Sequence, residues 1–89
     1  MSCSRTLEIT NRRGLHARAS AKFVTVAAGL PAKVEVEKDG NRVCGTSIMG
    51  LMMLGAAMGD TITIHCAGDG CGEALDLLSA LVTERFGED

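Results

Sequence analysis

The chain contains no tryptophan, no tyrosine and only two phenylalanines. Surfaces that read single-stranded nucleic acid stack bases on exposed aromatics, so that class is disfavoured. Nine Lys+Arg stand against eleven Asp+Glu, for a formal net charge of −2. The excess of positive charge that neutralises a phosphate backbone is therefore missing too. No apolar run approaches the ~20 residues that cross a bilayer. The longest, Ile48 to Met58, is interrupted by glycine. The opening Met1-Ser2-Cys3-Ser4-Arg5-Thr6 does not read as a secretory leader, and the expected location is the cytoplasm. The four cysteines, Cys3, Cys44, Cys66 and Cys71, include no Cys-x-x-Cys pair. In a cytoplasmic chain they are expected to stay reduced, with Cys3 in a frayed end. His65, Cys66 and Cys71 have no evident fourth ligand, and neither a metal nor a cofactor is expected.

The 89 residues read as a single domain, 1–89, with one proline and nothing that resembles a linker. At this size a chain buries about 60–65% of its surface on folding, so its core is thin. With so few aromatics it must also be aliphatic.

Hydrophobic period divides the chain into elements. Thr6-Leu7-Glu8-Ile9-Thr10 alternates as a half-buried strand. Asn11 to Gly14 is a polar loop. From Ala17 the apolar residues Ala19, Phe23, Val26 and Ala27 recur three or four apart, and Gly29 and Pro31 stop that helix. Val34 and Val36 alternate with glutamates as a second strand. Asp39-Gly40 suits a type I′ turn into a third, Arg42 to Cys44. Thr46 or Ser47 caps a short helix through Leu54. Thr61 to Cys66 alternates as a fourth strand, with Cys66 inward and His65 outward. Glu73 to Phe86 is a helix with Ala74, Leu77, Leu78, Leu81 and Val82 on one stripe. The order β-α-β-β-α-β-α packs as an α+β domain, a four-stranded antiparallel sheet with three helices on one face and water on the other. That layout leaves no deep cleft and favours chemistry at a surface shared with a partner.

Gly14-Leu15-His16-Ala17-Arg18-Ala19-Ser20 falls where the first strand hands over to the first helix. Amide N–H groups at a helix start have no intrahelical acceptor, and the dipole adds partial positive charge. A phosphoryl group on the His16 ring would meet the N–H groups of Ala17 and Arg18 and the Arg18 guanidinium. The dipole works against cations at this end, which leaves a ring nitrogen free as a nucleophile. The plainer alternative is an exposed loop histidine beside a surface arginine.

Gly14-Leu15-His16-Ala17-Arg18, followed by Thr46-Ser47-Ile48-Met49-Gly50-Leu51-Met52, resembles the HPr family of the bacterial phosphoenolpyruvate-dependent phosphotransferase system. The resemblance runs from about Thr6 to Phe86, and the run Arg13 to Phe23 is most similar to alpha-proteobacterial members, including those of nitrogen-related chains. It implies an open-faced β-sandwich and a phosphocarrier rather than an enzyme. His16 then matches the histidine phosphorylated on Nδ1, taking phosphoryl from enzyme I and passing it to an enzyme IIA protein, and Arg18 matches the arginine that steadies the group. One departure stands out: the family's usual proline after that arginine is Ala19 here, which restores an N–H and is expected to loosen the helix entrance.

Ser47 reads first as a helix cap. The resemblance adds that the matching serine is a substrate of an HPr kinase/phosphorylase in many bacteria. Charge placed there would sit at a helix N-terminus, where it is tolerated, and would act on docking. Ile48, Met49, Leu51 and Met52, with Leu15 and Ser20, are expected to form a docking patch rimmed by Arg12, Arg13 and Arg18. Met adapts to several partner surfaces, and basic rims steer acidic ones. The chain is expected to act as a monomer, without nucleic acid or membrane partners. The rival reading is a regulatory binding module of the same fold that works through protein contacts alone. A true enzyme is disfavoured, since no carboxylate or base lies near His16 in the sequence.

Overall fold

The protein's structure, a computed structural model, describes residues 1–88. Its elements run β1 (Ser2–Glu8), α1 (Ala17–Ala28), β2 (Lys33–Lys38), β3 (Asn41–Cys44), α2 (Ile48–Met53), β4 (Thr61–Ala67) and α3 (Cys71–Thr83), then a 3-10 turn at Arg85–Gly87. The four strands form one antiparallel sheet in the order β1-β4-β2-β3. Three helices cover one face, and the architecture is an open-faced β-sandwich. No helix among the described residues is long and apolar enough to cross a membrane.

Alternation decides which way each strand faces. In β4, Ile62, Ile64 and Cys66 are buried while Thr61, Thr63 and His65 turn outward. Val34 and Val36 of β2 join them against Phe23 and Ala27 of α1 and Leu78 and Val82 of α3. The open face is polar and cross-linked between strands. Thr6 lies opposite Thr63 and their hydroxyls meet at 2.9 Å. His65 pairs diagonally with Glu37 at 2.7 Å, and Arg42 with Glu35 at 3.2 Å. The β2–β3 turn has Asp39 at φ 51° and Gly40 at φ 83°, the left-handed pair that a type I′ hairpin needs.

Three sequence expectations need correction. The first strand starts earlier than Thr6, at Ser2, and Cys3 is paired opposite Cys66 rather than frayed. The last helix starts at Cys71 and ends at Thr83, and its buried stripe runs through Cys71, Ala74, Leu75, Leu78, Ser79 and Val82. Leu77 is 54% exposed. A serine inside the buried stripe and a leucine outside it blurred the phase. Phe86 is fully buried beyond that helix, reached through left-handed φ angles at Arg85 (58°) and Phe86 (55°).

The loop between β1 and α1 is pressed against the segment after α2. Gly14 adopts φ +62°, and a Cβ there would lie 2.2 Å from the Ala56 carbonyl oxygen. The next amide, Leu15 N–H, donates to that same oxygen at 2.9 Å. Gly14→Ala therefore combines left-handed strain with a backbone clash and should cost about 2 kcal/mol or more. Urea denaturation reads this directly; a loss under ~0.5 kcal/mol would mean the loop has room to move.

Candidate functional site: the entrance of the first helix

Helix α1 starts with a histidine as its cap. His16 is extended (φ −77°, ψ −178°), and its ring accepts the Arg18 backbone N–H at Nδ1, 3.3 Å away. The first i→i−4 bond of the helix is Ser20 N–H to His16 O at 2.9 Å. The amides of Ala17, Arg18 and Ala19 precede it, so the ring's Nδ1 edge sits over the orphan donors of the first turn. Nothing acidic occupies that turn. The Ala17 and Arg18 residues are exposed, whereas the Ala19 side chain is fully buried.

The other edge of the ring meets a carboxylate. His16 Nε2 lies 2.5 Å from Glu88 Oε2, with both side chains about 15% exposed. This corrects the expectation of a histidine without an acidic partner: Glu88 is 72 positions away in sequence and only folding brings it in. Asn11 holds it from the other side, its Nδ2 donating to Glu88 Oε1 at 3.0 Å and to the Gly14 carbonyl at 2.9 Å. Burial works to raise the Glu88 carboxyl, but the Asn11 amide and the His16 ring outweigh it and hold it below the ordinary carboxylate range. An ionised carboxylate only accepts, so Nε2 must carry the proton and Nδ1 keeps its lone pair.

The chain reaches this position through strain that other contacts maintain. Lys22 of α1 donates to the Phe86 carbonyl at 2.6 Å, and the buried Phe86 ring anchors the turn. Neither Asn11 nor Glu88 stood out in the sequence. Asn11 opens the polar loop and carried a weak signal; nothing local distinguished Glu88.

The second expected site is also a cap. Ser47 Oγ accepts the Gly50 N–H at 3.0 Å, and its carbonyl accepts Leu51 N–H at 3.0 Å. Gly50 leaves room for this, since a Cβ there would meet Ser47 Oγ at 3.1 Å. Helices α1 and α2 pack together.

The expected docking residues divide by burial. Ile48, Met49 and Met52 are exposed, Met49 at 67%, and Arg12, Arg13 and Arg18 are exposed as well. Leu15, Ser20 and Leu51 are not available to a partner. Leu15 is 5% exposed and Leu51 fully buried in the core. Ser20 is also fully buried, its hydroxyl donating to the Leu15 carbonyl at 3.2 Å. These three support the loop and helix from beneath. Met53 (80% exposed) and Met58 extend the apolar surface beyond the expected set. Shallow hollows lie elsewhere: one of about 160 Å³ at the Cys3–His65 end of the sheet, another of about 330 Å³ between β3 and α2. Neither reaches His16.

A family model described as the PTS HPr component phosphorylation site matches residues 3–84. The chain belongs to the HPr family. It is 45% identical to phosphocarrier protein HPr of Cupriavidus necator, over 94% of each chain. It is 37% identical to phosphocarrier protein NPr of Shewanella violacea, over 94% of this chain and 92% of that one. A crystal structure of HPr-C-His from Thermoanaerobacter tengcongensis superposes with a TM-score of 0.93 at 40% identity, covering 98% of both chains. The fold expected from the element order is the fold of the family.

The Glu88 carboxylate should register in acid. Because its folded-state value is depressed, its contribution is present above the ordinary carboxylate range and is lost as pH falls through the folded-state value. The stability gap between the wild-type chain and Glu88→Gln should be open at about pH 7 and should narrow as pH falls through and below the ordinary carboxylate range. Denaturation midpoints across that range measure it; a gap independent of pH would mean the ionised carboxylate adds nothing to folding.

Proposed function

We propose that this chain is a phosphocarrier that receives a phosphoryl group on Nδ1 of His16 from phosphorylated enzyme I, for which phosphoenolpyruvate is the source, and delivers it to a histidine of an enzyme IIA protein. The observation that carries this reading is the two-sided engagement of one ring: Nε2 on the Glu88 carboxylate, Nδ1 over the amides that open α1. In the forward step the donor's phosphorus–nitrogen bond breaks as the bond to Nδ1 forms. The ring becomes cationic while Nε2 keeps its proton, and the Glu88 carboxylate balances that charge, as a buried carboxylate does for an imidazolium in a catalytic triad. The phosphoryl oxygens take over the Ala17 and Arg18 amides, and the exposed Arg18 guanidinium closes on them. Release to the acceptor reverses these steps. The carrier needs positioning and charge balance, and its partners bring the remaining groups.

The docking surface we propose is the exposed apolar face of α2, Ile48, Met49 and Met52, with Arg12 and Arg18 at its margin. It suits partners with an apolar centre and acidic rim, met by electrostatic steering and released quickly. Ser47 lies at the head of that helix. Phosphorylation there, by an HPr kinase/phosphorylase, would lose little of the helix and place about two negative charges on the docking face, slowing exchange with acidic partners. The transfer chain would serve sugar uptake, nitrogen and carbon regulation, or both.

Incubation with enzyme I and phosphoenolpyruvate should attach one acid-labile phosphate. His16→Ala should abolish it, and Arg18→Ala should slow transfer by about tenfold or more. A His16→Ala chain that still takes the label would refute the assignment. Met49→Glu should weaken enzyme I binding with the thermal midpoint unchanged, and equal affinity would move the docking surface elsewhere. Ser47→Ala should cost ~1 kcal/mol through the lost cap. An active kinase with ATP should place an acid-stable phosphate on Ser47 in the wild-type chain; failure to do so would remove the regulatory proposal.

A further inference from the structure

At the end of the sheet away from His16, three cysteines converge. Cys3 of β1 and Cys66 of β4 are directly opposed in the ladder, and both point to the helical side. Cys71 begins α3 and is 1% exposed. The Cys3 and Cys71 sulfurs are in contact at 2.7 Å, across 68 positions of sequence. All three thiols are unlinked in this structure, and the phosphoryl-transfer reading uses none of them. Unlike two cysteines on neighbouring turns, this pair joins an edge strand to a helix, so a bond between them constrains tertiary structure.

We infer that Cys3 and Cys71 are a dithiol site that exchanges with low-molecular-weight disulfides and closes into an intramolecular disulfide between β1 and α3. Access sets the order of events. Cys3 is partly exposed and Cys71 is not, so an external disulfide reaches Cys3 first. The Cys3 thiolate attacks one sulfur of the reagent, forming a mixed disulfide and expelling one thiolate. Cys71, already in contact, then attacks the Cys3 sulfur and expels the second. Two protein thiols and one disulfide become one protein disulfide and two small thiols, and the two thiol protons leave on those products. Contact with Cys71 raises the Cys3 thiol above its ordinary value, and burial adds to this. The smaller thiolate fraction slows the first attack. Cys66 is the internal competitor, held back by burial, which raises its thiol, with neighbouring Cys71 adding to the effect. Cys44 is different in kind: it is exposed, its thiol is lowered first by the Thr46 hydroxyl, and it has no cysteine to resolve it.

The closed form would tie edge strand β1 to α3 near the N-terminal end of the strand, alongside the Arg5–Asp76 ion pair that already links the same two elements. A cross-link across so long a loop restricts the unfolded chain strongly, and the thermal midpoint should rise by about 10 °C or more.

The test uses the reduced full-length Cys44→Ser protein, which removes the exposed thiol. It is equilibrated against glutathione buffers from fully reduced to fully oxidised, trapped in acid, alkylated and weighed intact, then mapped by peptides. The expected product has lost two hydrogen atoms, keeps only Cys66 open to alkylation, and shows Cys3 joined to Cys71. In Cys71→Ala the same buffers should leave glutathione on Cys3, and in Cys3→Ala they should leave Cys71 reduced; the second variant alters a half-exposed position and guards against a folding defect in the first. A cross-link to Cys66, a persistent glutathione adduct on Cys3 with Cys71 present, or thiols that stay reduced across the series would overturn the inference.

Discussion

One histidine does two jobs at the start of α1, and the arrangement of the site follows from that. A helix start leaves amides that need an acceptor, and most proteins supply a serine, threonine or aspartate. Here the acceptor is an imidazole nitrogen. In the proposed transfer that cap is also the nucleophile, and the amide it satisfies is one that would receive the phosphoryl group. For this to work the ring must present Nδ1 and protonate Nε2. The Glu88 carboxylate imposes that choice, because it can accept a hydrogen bond and cannot donate one.

The rest of the molecule is organised to keep that carboxylate in place. The chain leaves α3 through two left-handed residues that are not glycine, a conformation that costs energy at each. Burial of Phe86 and the Lys22 bond to its carbonyl hold the turn, and Asn11 receives the carboxylate at its far oxygen. On the opposite side Gly14 fits against Ala56 with no space for a side chain. The loop bearing His16 is thus held from the α2 side and from beyond α3. A sheet covered on one face only has no cleft to shelter such a group. Precision comes instead from converging loops at one edge.

Much of this was legible in sequence because alternation and helical period report on burial. Ile62, Ile64 and Cys66 announced an inward face, and Asp39-Gly40 announced its turn. The place of His16 at the hand-over from strand to helix was legible from its neighbours, and the structure puts it there as the cap of α1. Burial inside the site was less legible. Leu15 and Leu51 looked like docking residues because an apolar residue beside a functional one reads as exposed until packing is known. Glu88 was invisible for a physical reason: its role depends on a reversal of the chain after α3 that no local pattern encodes. The Cys3–Cys71 contact was hidden in the same way, since it needs the register of β1 and the first turn of α3 together.

Folding fixes the tautomer of His16 by setting Nε2 against the Glu88 carboxylate. Nitrogen-15 NMR of the ring in the unphosphorylated chain, at a pH where it is neutral, tests this most directly. The expected result is an Nε2-protonated ring with Nδ1 unprotonated, and a mixture of tautomers in Glu88→Gln. A wild-type ring protonated on Nδ1, or a tautomer ratio that Glu88→Gln leaves unchanged, would contradict it.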